Sequence, residues 1–309
     1  MNLHRIISLA IVAAGILILV GVGAEVLSGA SSLGLMVLVF GFVLYLLSYA
    51  KEPEDNKEAT VPPLSTTSRI LKVFYQPSLL FRNLGAHPSW IPAFLLLALS
   101  ITAYNIAFMQ RIGAGTIAAA TIDKVLEGGF ISDTEGKEIR AEAVRNAETT
   151  VARVSKVVGG VVGWLVFMLL VASLYLMGVA MFGGDVNFLQ ALSVAMYAAL
   201  PPFLAQNLIS LVVLLVIPRD NINPIRDQSG LARMDLGLLF TPSEHPLLYV
   251  MGTSINIFAI YWLALTIIGL RNGASRLSAG YAWTISLSLW VIGLVLVLLI
   301  GALFPTFIS

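Results

Sequence analysis

Residues 190–217, QALSVAMYAALPPFLAQNLISLVVLLVI, contain no charged side chain over 28 positions. An α-helix needs about 20 apolar residues to cross the hydrocarbon core of a bilayer, so this stretch is long enough to span a membrane. It nevertheless carries Pro201 and Pro202 near its centre and the amides Gln206 and Asn207 shortly afterwards. Proline interrupts a helix, and an amide is costly in hydrocarbon. The stretch therefore predicts a membrane helix that is broken at Pro201.

The composition extends the membrane assignment to the whole chain. Of the 309 residues, 58% are hydrophobic and 11% are charged, and the mean hydropathy is +0.90. Soluble domains carry roughly 25% charged residues. The net charge of +1 argues against a nucleic-acid partner, since a phosphate-binding surface needs a basic excess. The absence of cysteine excludes disulfides, thiolate metal sites and cysteine nucleophiles.

Charged residues divide the chain into seven predicted membrane spans. In chain order these are residues 6–24, 33–50, 89–108, 157–182, 190–217, 247–270 and 277–309. The first span follows the basic start MNLHR, so one interpretation is that it is a signal peptide. Its apolar part is longer than a usual signal core, which favours a retained two-helix hairpin at residues 1–50.

The predicted domains follow from the polar segments between the spans. Residues 51–68 are polar, contain three prolines and predict a linker. Residues 69–309 then form the main membrane domain. With the N-terminus inside, eight basic residues lie on the cytoplasmic side and ten lie outside, which opposes the positive-inside rule. Charges in short loops weigh more, and the compact loop at residues 271–276 favours the N-terminus inside.

The segment before the third span, RILKVFYQPSLLFRNLGAHPSW at residues 69–90, mixes basic and aromatic residues. Pro77 divides it into two short pieces. Such a segment can lie in the plane of the membrane interface. It can equally be a connector that packs inside the bundle, and the sequence leaves both interpretations open.

The largest polar segment, residues 109–156, predicts a helical hairpin outside the membrane. Ser132 and Glu135 have the spacing of a capping box. Apolar residues then recur every three or four positions, which predicts a helix continuous with the fourth span. The spacing indicates packing, and a ligand-binding role is the alternative. The stripe consists of Ile139, Ala143, Ala147, Val151, Val154 and Val158.

The search for catalytic chemistry favours a protein that is not an enzyme and has no cofactor. The sequence has no H-E-x-x-H, no G-x-S-x-G and no P-loop. No acidic or basic residue lies well inside a span. The sequence therefore supports neither an intramembrane protease with paired aspartates nor a proton relay. Asp220, Asp227 and Asp235 lack the alternation of an EF-hand calcium loop.

Uncharged polar residues remain in or near the spans. They are candidates for a site between helices of the kind found in transporters. The alternative, which we favour, is hydrogen bonding between helices, at about 0.6–2 kcal/mol each. Gln206 and Asn207 are placed to help the carbonyls of Tyr197 and Ala198, which the prolines leave free. The polar set is Asn105, Gln206, Asn207, Thr253, Ser254, Asn256 and Thr266.

Small residues add a weak indication of helix packing. Gly159 and Gly163 have the G-x-x-x-G spacing that permits two helix backbones to approach closely.

Three stretches together resemble bacterial proteins with a Yip1 domain. FYQPSLLFRNLGAHPSW, at residues 74–90, resembles the segment that leads into the family's first membrane helix. The stretch at residues 182–213 resembles its small-residue turn and a helix with a Y-x-x-x-P pattern, here Tyr197 and Pro201. The stretch at residues 247–270 resembles its next helix. The recurring residues there would be Asn256, Phe258, Trp262 and Gly269.

The resemblance implies a five-helix bundle and adds no catalytic residue. It implies a cytoplasmic N-terminal side and an outward C-terminus, in a bacterial cytoplasmic (inner) membrane. Eukaryotic relatives are linked to vesicle traffic and Rab GTPases, a role that cannot simply be transferred. The N-terminal hairpin departs from the five-helix plan. The candidate site residues are Tyr197, Pro201, Gln206, Asn207, Asn256, Phe258 and Trp262.

The sequence thus predicts an all-α polytopic membrane protein with a two-helix hairpin and a five-helix Yip1-like bundle. The leading hypothesis for its function is a non-enzymatic scaffold that binds membrane-protein partners or a second copy, or organises lipid. The alternative is a small-molecule transporter or channel whose path passes the helix break at Pro201.

Overall fold

The computed structural model describes residues 3–23, 31–47, 62–128, 133–241 and 244–303. Within these ranges the chain forms twelve α-helices and three short 3₁₀ turns, and no strand. The helices are α1 (Leu3–Gly23), α2 (Ser31–Leu47), α3 (Thr66–Tyr75), α4 (Pro77–Ala86), α5 (Ile91–Ile112), α6 (Ala114–Glu127), α7 (Asp133–Ala147), α8 (Thr150–Met181), α9 (Phe188–Val216), α10 (Pro246–Ser254), α11 (Ile257–Gly273) and α12 (Ala279–Leu303). The 3₁₀ turns are Arg219–Asn221, Arg226–Ser229 and Leu236–Leu239.

Four of these helices, α5, α8, α9 and α12, are long and apolar enough to cross a membrane. The predicted all-helical class is confirmed. Three shorter apolar stretches, Ser8–Val20, Leu33–Phe42 and Ile257–Gly273, overlap the first, second and sixth predicted spans. The count of seven spans and the hairpin layout remain predictions.

The chain divides into two compact units made of interleaved segments. The first contains Met1–Ala50, Ile101–Leu165 and Val213–Ser229, and the second contains Lys51–Ser100, Val166–Val212 and Gly230–Ser309. The domains predicted from composition are consecutive in sequence, and their boundaries at residues 50 and 68 remain a prediction.

In the first unit, α1 and α2 pack against each other at glycines. A Cβ atom at Gly15 would lie 2.5 Å from the backbone nitrogen of Leu38. A Cβ atom at Gly41 would lie 2.6 Å from the backbone nitrogen of Val12. Because real Cβ atoms do not approach backbone atoms so closely, this separation of the two helices requires glycine at both positions.

The G-x-x-x-G pair in α8 does not behave as the spacing predicts. A Cβ atom at Gly159 would meet the end of the Met36 side chain, at 2.7 Å from Cε. A Cβ atom at Gly163 would have nothing within 4 Å among the described parts of the chain. Among the described residues the motif therefore does not mark a close approach of two helix backbones.

Helices α6 and α7 of the first unit also pack against each other. The Arg140 Nε donates to Asp123 Oδ1 across 2.7 Å, and both side chains are well exposed. This hydrogen bond, followed by the carboxylate's charge, raises the pKa of Arg140 above its ordinary value. The proposed capping residue Ser132 lies outside the described residues.

The predicted continuity of this hairpin with the fourth span is wrong. Helix α7 ends at Ala147, and α8 begins at Thr150. The hydroxyl of Thr149 accepts a hydrogen bond from the Ala152 backbone nitrogen at 3.2 Å, which starts a new helix. The apolar residues keep their regular spacing across this interruption, so the spacing does not reveal that one helix ends and another begins.

The core of the second unit is the first half of α9. Residues 191–202 are all buried, which explains why this stretch is apolar on every side. On α11, Gly269 leaves room for neighbouring side chains, since a Cβ atom there would lie 2.7 Å from Val194 and 3.2 Å from Phe81. The α4, α9 and α11 helices therefore meet at this glycine.

Reciprocal hydrogen bonds fix the start of α9. The Asn187 backbone nitrogen donates to Gln190 Oε1 at 2.7 Å, and the Gln190 backbone nitrogen donates to Asn187 Oδ1 at 2.8 Å. The side-chain nitrogen of Gln190 also donates to the Gly85 carbonyl at 2.5 Å, which ties α9 to α4. This arrangement is a capping box with a tertiary contact added.

The predicted division of the segment before the third span is confirmed. Helix α3 ends at Tyr75, and Pro77 occupies the first turn of α4. Proline suits that position because its missing N–H would have had no partner within the helix.

The predicted sixth span is not one helix, because the chain breaks between α10 and α11. The Asn256 Oδ1 accepts from the Ala259 backbone nitrogen at 2.8 Å and so begins α11. The backbone of Leu236 donates to the Ile255 carbonyl at 3.3 Å, and that of Ile257 donates to the Met234 carbonyl at 3.4 Å. A break in apolar surroundings is tolerated where the backbone groups find such partners.

Candidate functional site

A cavity of about 480 Å³ lies inside the second unit, between α8, α11 and α12. Ligand pockets in proteins are commonly about 300–1,000 Å³ and mostly apolar. The wall has few polar side chains and no charged one. The lining residues are Phe167, Leu170, Val171, Leu174, Tyr175, Ser254, Trp262, Leu263, Thr266, Ser286, Leu289, Trp290, Ile292, Gly293, Leu294, Leu296 and Val297.

Trp262 on α11 is held in this wall by two aromatic neighbours. Its ring centroid is 6.3 Å from that of Phe167 and 5.6 Å from that of Phe203, the latter in an edge-on arrangement. The indole nitrogen is buried and has no hydrogen-bond acceptor among the residues that the structure describes. An indole N–H usually finds a partner when it is buried, so the unpaired nitrogen of Trp262 is an exception.

A pair of hydroxyl groups lines the same cavity. The Tyr175 and Thr266 hydroxyl oxygens are 3.1 Å apart and share one hydrogen bond. Two hydroxyl groups carry two hydrogens, so the pair keeps one hydrogen that this bond does not use. Thr266 was among the polar candidates from the sequence, whereas Tyr175 was not. The available signal was a tyrosine in the middle of a long apolar helix.

The predicted break at Pro201 is wrong, because α9 continues from Phe188 to Val216 through both prolines. Pro201 and Pro202 are themselves buried. Two adjacent prolines remove only two backbone donors, and the packed neighbours hold the helix on either side of them. The alternative of a transporter path past Pro201 stays a prediction.

The two amides after the prolines lie against other segments of the chain. The Asn207 Nδ2 donates to the Ser100 hydroxyl at 3.0 Å in a buried contact between α9 and α5. Gln206 lies beside Gly230, where a Cβ atom would be 3.6 Å from its Nε2. The structure therefore places Asn207 in an interhelical hydrogen bond rather than at a freed carbonyl of its own helix.

The other predicted residues have separate positions in the second unit. Tyr197 is fully buried in the core, and its hydroxyl has no partner among the described residues. Asn256 caps α11, and the half-buried Phe258 lies in the first turn of that helix. Of the seven candidates, all of which the structure describes, only Trp262 lines the cavity.

Among the loop aspartates, Asp227 has a role in local structure. The Asp227 carboxylate accepts from the Asn223 backbone nitrogen and from the Arg226 Nε, both at 2.9 Å. Within the described ranges no group of three or more histidine, aspartate or glutamate side chains could hold a metal ion.

The apolar helices and the all-α fold define the class of protein, an integral membrane protein. Residues 71–300, more than half of the chain, match the Yip1 domain family, and the chain belongs to that family. The resemblance drawn from the three sequence stretches is confirmed. Comparison with curated proteins and with solved structures finds no significant match.

Proposed function

We propose that this Yip1-domain protein is a non-enzymatic membrane scaffold that organises anionic lipid along α3 and α4. One observation supports this function above others. Helices α3 and α4 pack one face against the second unit, and their other face carries exposed apolar side chains with basic residues beside them. Binding of membrane-protein partners or a second copy is the other part of the scaffold hypothesis.

Helix α3 has two unlike faces. Leu71, Phe74 and Tyr75 occur at positions i, i+3 and i+4, so they share one side of the helix. They are 54%, 48% and 62% exposed. Val73 on the other side is fully buried. An exposed row of this kind buries apolar area when it lies at a lipid headgroup boundary.

Helix α4 also has one buried face and one exposed face. Leu80, Phe81 and Leu84 are fully buried, whereas Leu79 and Arg82 are exposed. The segment therefore packs into the bundle with one face and leaves the other free, which supports both interpretations that the sequence left open. Lys72 and Arg82 give the free face a positive charge that suits anionic lipid, at about 1 kcal/mol for each basic residue near the membrane surface.

The bonding of polar groups in the second unit also favours a scaffold over a transporter. Asn207 bonds to Ser100, and Tyr175 bonds to Thr266. The Ser210 hydroxyl accepts from the backbone nitrogens of Leu231 and Ala232, both at 3.0 Å. Polar groups that bond to each other in this way hold neighbouring segments together, which supports a scaffold.

We place the protein in the bacterial cytoplasmic membrane with its N-terminus inside and its C-terminus outside. In that orientation α3 and α4 meet the cytoplasmic leaflet, whose anionic lipids attract basic segments.

The lipid surface can be tested in vesicles because the chain contains no cysteine. The exposed Gln76→Cys, between α3 and α4, would carry a donor fluorophore. Energy transfer to labelled phosphatidylglycerol is expected to exceed transfer to labelled phosphatidylcholine. The double change Lys72→Gln with Arg82→Gln should abolish most of that difference.

The matched control is Lys137→Gln with Arg145→Gln, which removes the same charge from exposed positions on α7. It is expected to leave the preference for phosphatidylglycerol unchanged. Equal transfer to both lipids in the unaltered background would contradict the proposal.

Water access to α9 distinguishes the scaffold from the transporter. Asn207→Cys is expected to resist a membrane-impermeant thiol reagent, because this side chain is buried against α5. Asp220→Cys, at an exposed position, is expected to react when the reagent is added on its side of the membrane. Reaction at residue 207 would reveal a water-filled path and favour a transporter.

A further inference from the structure

We propose that a small cavity between α6, α7 and α8 binds an anionic phospholipid of the bilayer. The phosphate of the headgroup pairs with Arg153 and Lys156, and the part of one acyl chain nearest the headgroup fills the cavity. This site lies in the first unit and does not involve the surface of α3 and α4, so it goes beyond the function proposed above.

The cavity has a volume of about 290 Å³ and a mostly apolar wall. Ala118 on α6, Ala143 on α7 and Ala152 on α8 line it, and their short side chains leave this space between the helices. The volume is close to the lower end of the roughly 300–1,000 Å³ common for ligand pockets. The Thr121 hydroxyl in the wall is already used, since it donates to the Ile117 carbonyl at 2.9 Å. The cavity therefore suits part of an acyl chain.

Two cations complete the wall. Arg153 and Lys156 both line the cavity, and their i, i+3 spacing on α8 places them on one side of that helix. Neither side chain has a hydrogen bond or an ion pair with a residue that the structure describes. An anionic group at the mouth of the cavity would complement both.

The acidic groups of α6 and α7 do not supply this anion. Asp123 pairs with Arg140 at 2.7 Å, and Glu127 pairs with Lys124 at 2.8 Å. Glu148 is exposed, does not line the cavity and forms no ion pair with a described residue. The complementary charge therefore has to come from a ligand.

The cavity lies where two candidate membrane helices, α5 and α8, meet the membrane boundary. Met109 near the end of α5 lines it, and beyond Lys156 the next charged residue along the chain is Asp185. Basic side chains near the end of a membrane helix extend to the level of the headgroups, and anionic lipids attract them. An anion that also brings an apolar chain to this depth is a phospholipid of the bilayer.

Photocrosslinking in vesicles locates the bound lipid. The full-length protein is reconstituted in phosphatidylcholine with a trace of phosphatidylglycerol or phosphatidylcholine that carries a diazirine near the carboxyl end of one acyl chain. Peptide mass spectrometry gives the ratio of labelling by the two probes at residues 109–122 and 143–156, relative to the uncharged α12. We expect phosphatidylglycerol to be favoured about five- to thirtyfold, the effect of one or two basic residues near a membrane surface.

Removal of the two charges tests headgroup binding. Arg153→Gln with Lys156→Gln is expected to lower the labelling ratio to about one. The matched control is Lys137→Gln with Arg145→Gln, which removes the same charge from exposed positions of α7 outside the cavity and should leave the ratio unchanged.

Filling the cavity tests chain binding. Ala118→Leu is expected to reduce labelling of both segments by phosphatidylglycerol strongly, because the longer side chain occupies the space of the acyl chain. Ala120→Leu is the matched control, since this alanine is also half-buried on α6 but does not line the cavity.

A labelling ratio near one in the unaltered protein would overturn the proposed site, and so would an unchanged ratio in Arg153→Gln with Lys156→Gln. Loss of the preference on addition of inorganic phosphate at constant ionic strength would show that the site takes a free anion instead of a lipid. Preferential labelling at residues 69–86 alone would overturn this site and leave the proposed surface of α3 and α4 intact.

Discussion

Tyr197→Ala is expected to lower the free energy of unfolding by about 3–5 kcal/mol, as truncation of a fully buried aromatic side chain does. Tyr197 has no exposed surface and lies within the completely buried half of α9. Neighbouring helices cannot close the space without moving the whole core of the second unit. Chemical unfolding in detergent, followed by tryptophan fluorescence, measures the loss.

Tyr197→Phe is the informative partner of this variant. It keeps the ring and removes a buried hydroxyl that lacks a hydrogen-bond partner in the described residues. An unsatisfied buried hydroxyl costs about 1–3 kcal/mol, so phenylalanine is expected to preserve or raise stability. A loss with phenylalanine as large as that with alanine would show that the hydroxyl makes an essential bond.

Gly15→Val is expected to separate α1 from α2. The added Cβ atom would lie 2.5 Å from the Leu38 backbone nitrogen, and a helix backbone cannot yield as a flexible side chain can. Such overpacking typically costs about 1–3 kcal/mol and sometimes more. The measurement is crosslinking between cysteines introduced at Leu19 and Gly34, because a Cβ atom at Gly34 would lie 2.9 Å from the end of the Leu19 side chain.

Gly163→Val provides the control for the same residue change on an unobstructed helix surface. Crosslinking between residues 19 and 34 is expected to persist in this variant and to fall strongly in Gly15→Val. Undiminished crosslinking in Gly15→Val would mean that α1 and α2 do not approach at Gly15.

The features that could be predicted from the sequence are local ones. Charge-free windows locate the long apolar helices because a membrane excludes charge over a fixed length. The length of such a window can be read from the segment itself, without knowledge of its partners. Pro77 divides α3 from α4, and this division is predictable because the missing N–H of proline affects only the adjacent helical turn. The three stretches that resembled the Yip1 family were sufficient to name it.

The features that could not be predicted depend on distant partners. Asn256 is a single amide within an apolar window, and the backbone groups that complete the break come from Met234 and Leu236. Pro201 and Pro202 predict a break by local rules, yet burial on all sides maintains α9. In each case tertiary packing overrides the local preference.

The candidate site shows the same limit. Trp262 was identified through the family resemblance, because its position in the third stretch is a recurring one. Tyr175 was missed because its partner Thr266 is 91 residues further along the chain. The cavity is formed by three helices together, so it cannot be recognised from the sequence of any one of them.

The burial of α9 also has a consequence for the order of biosynthesis. Its first half packs around Val194 against Phe81 of α4, which is made earlier, and against Gly269 of α11, which is made later. During translation α9 therefore enters the membrane before one wall of its surroundings exists. The translocation machinery must accept a proline-containing helix that is only partly enclosed, and assembly of the second unit cannot finish until α11 has emerged from the ribosome.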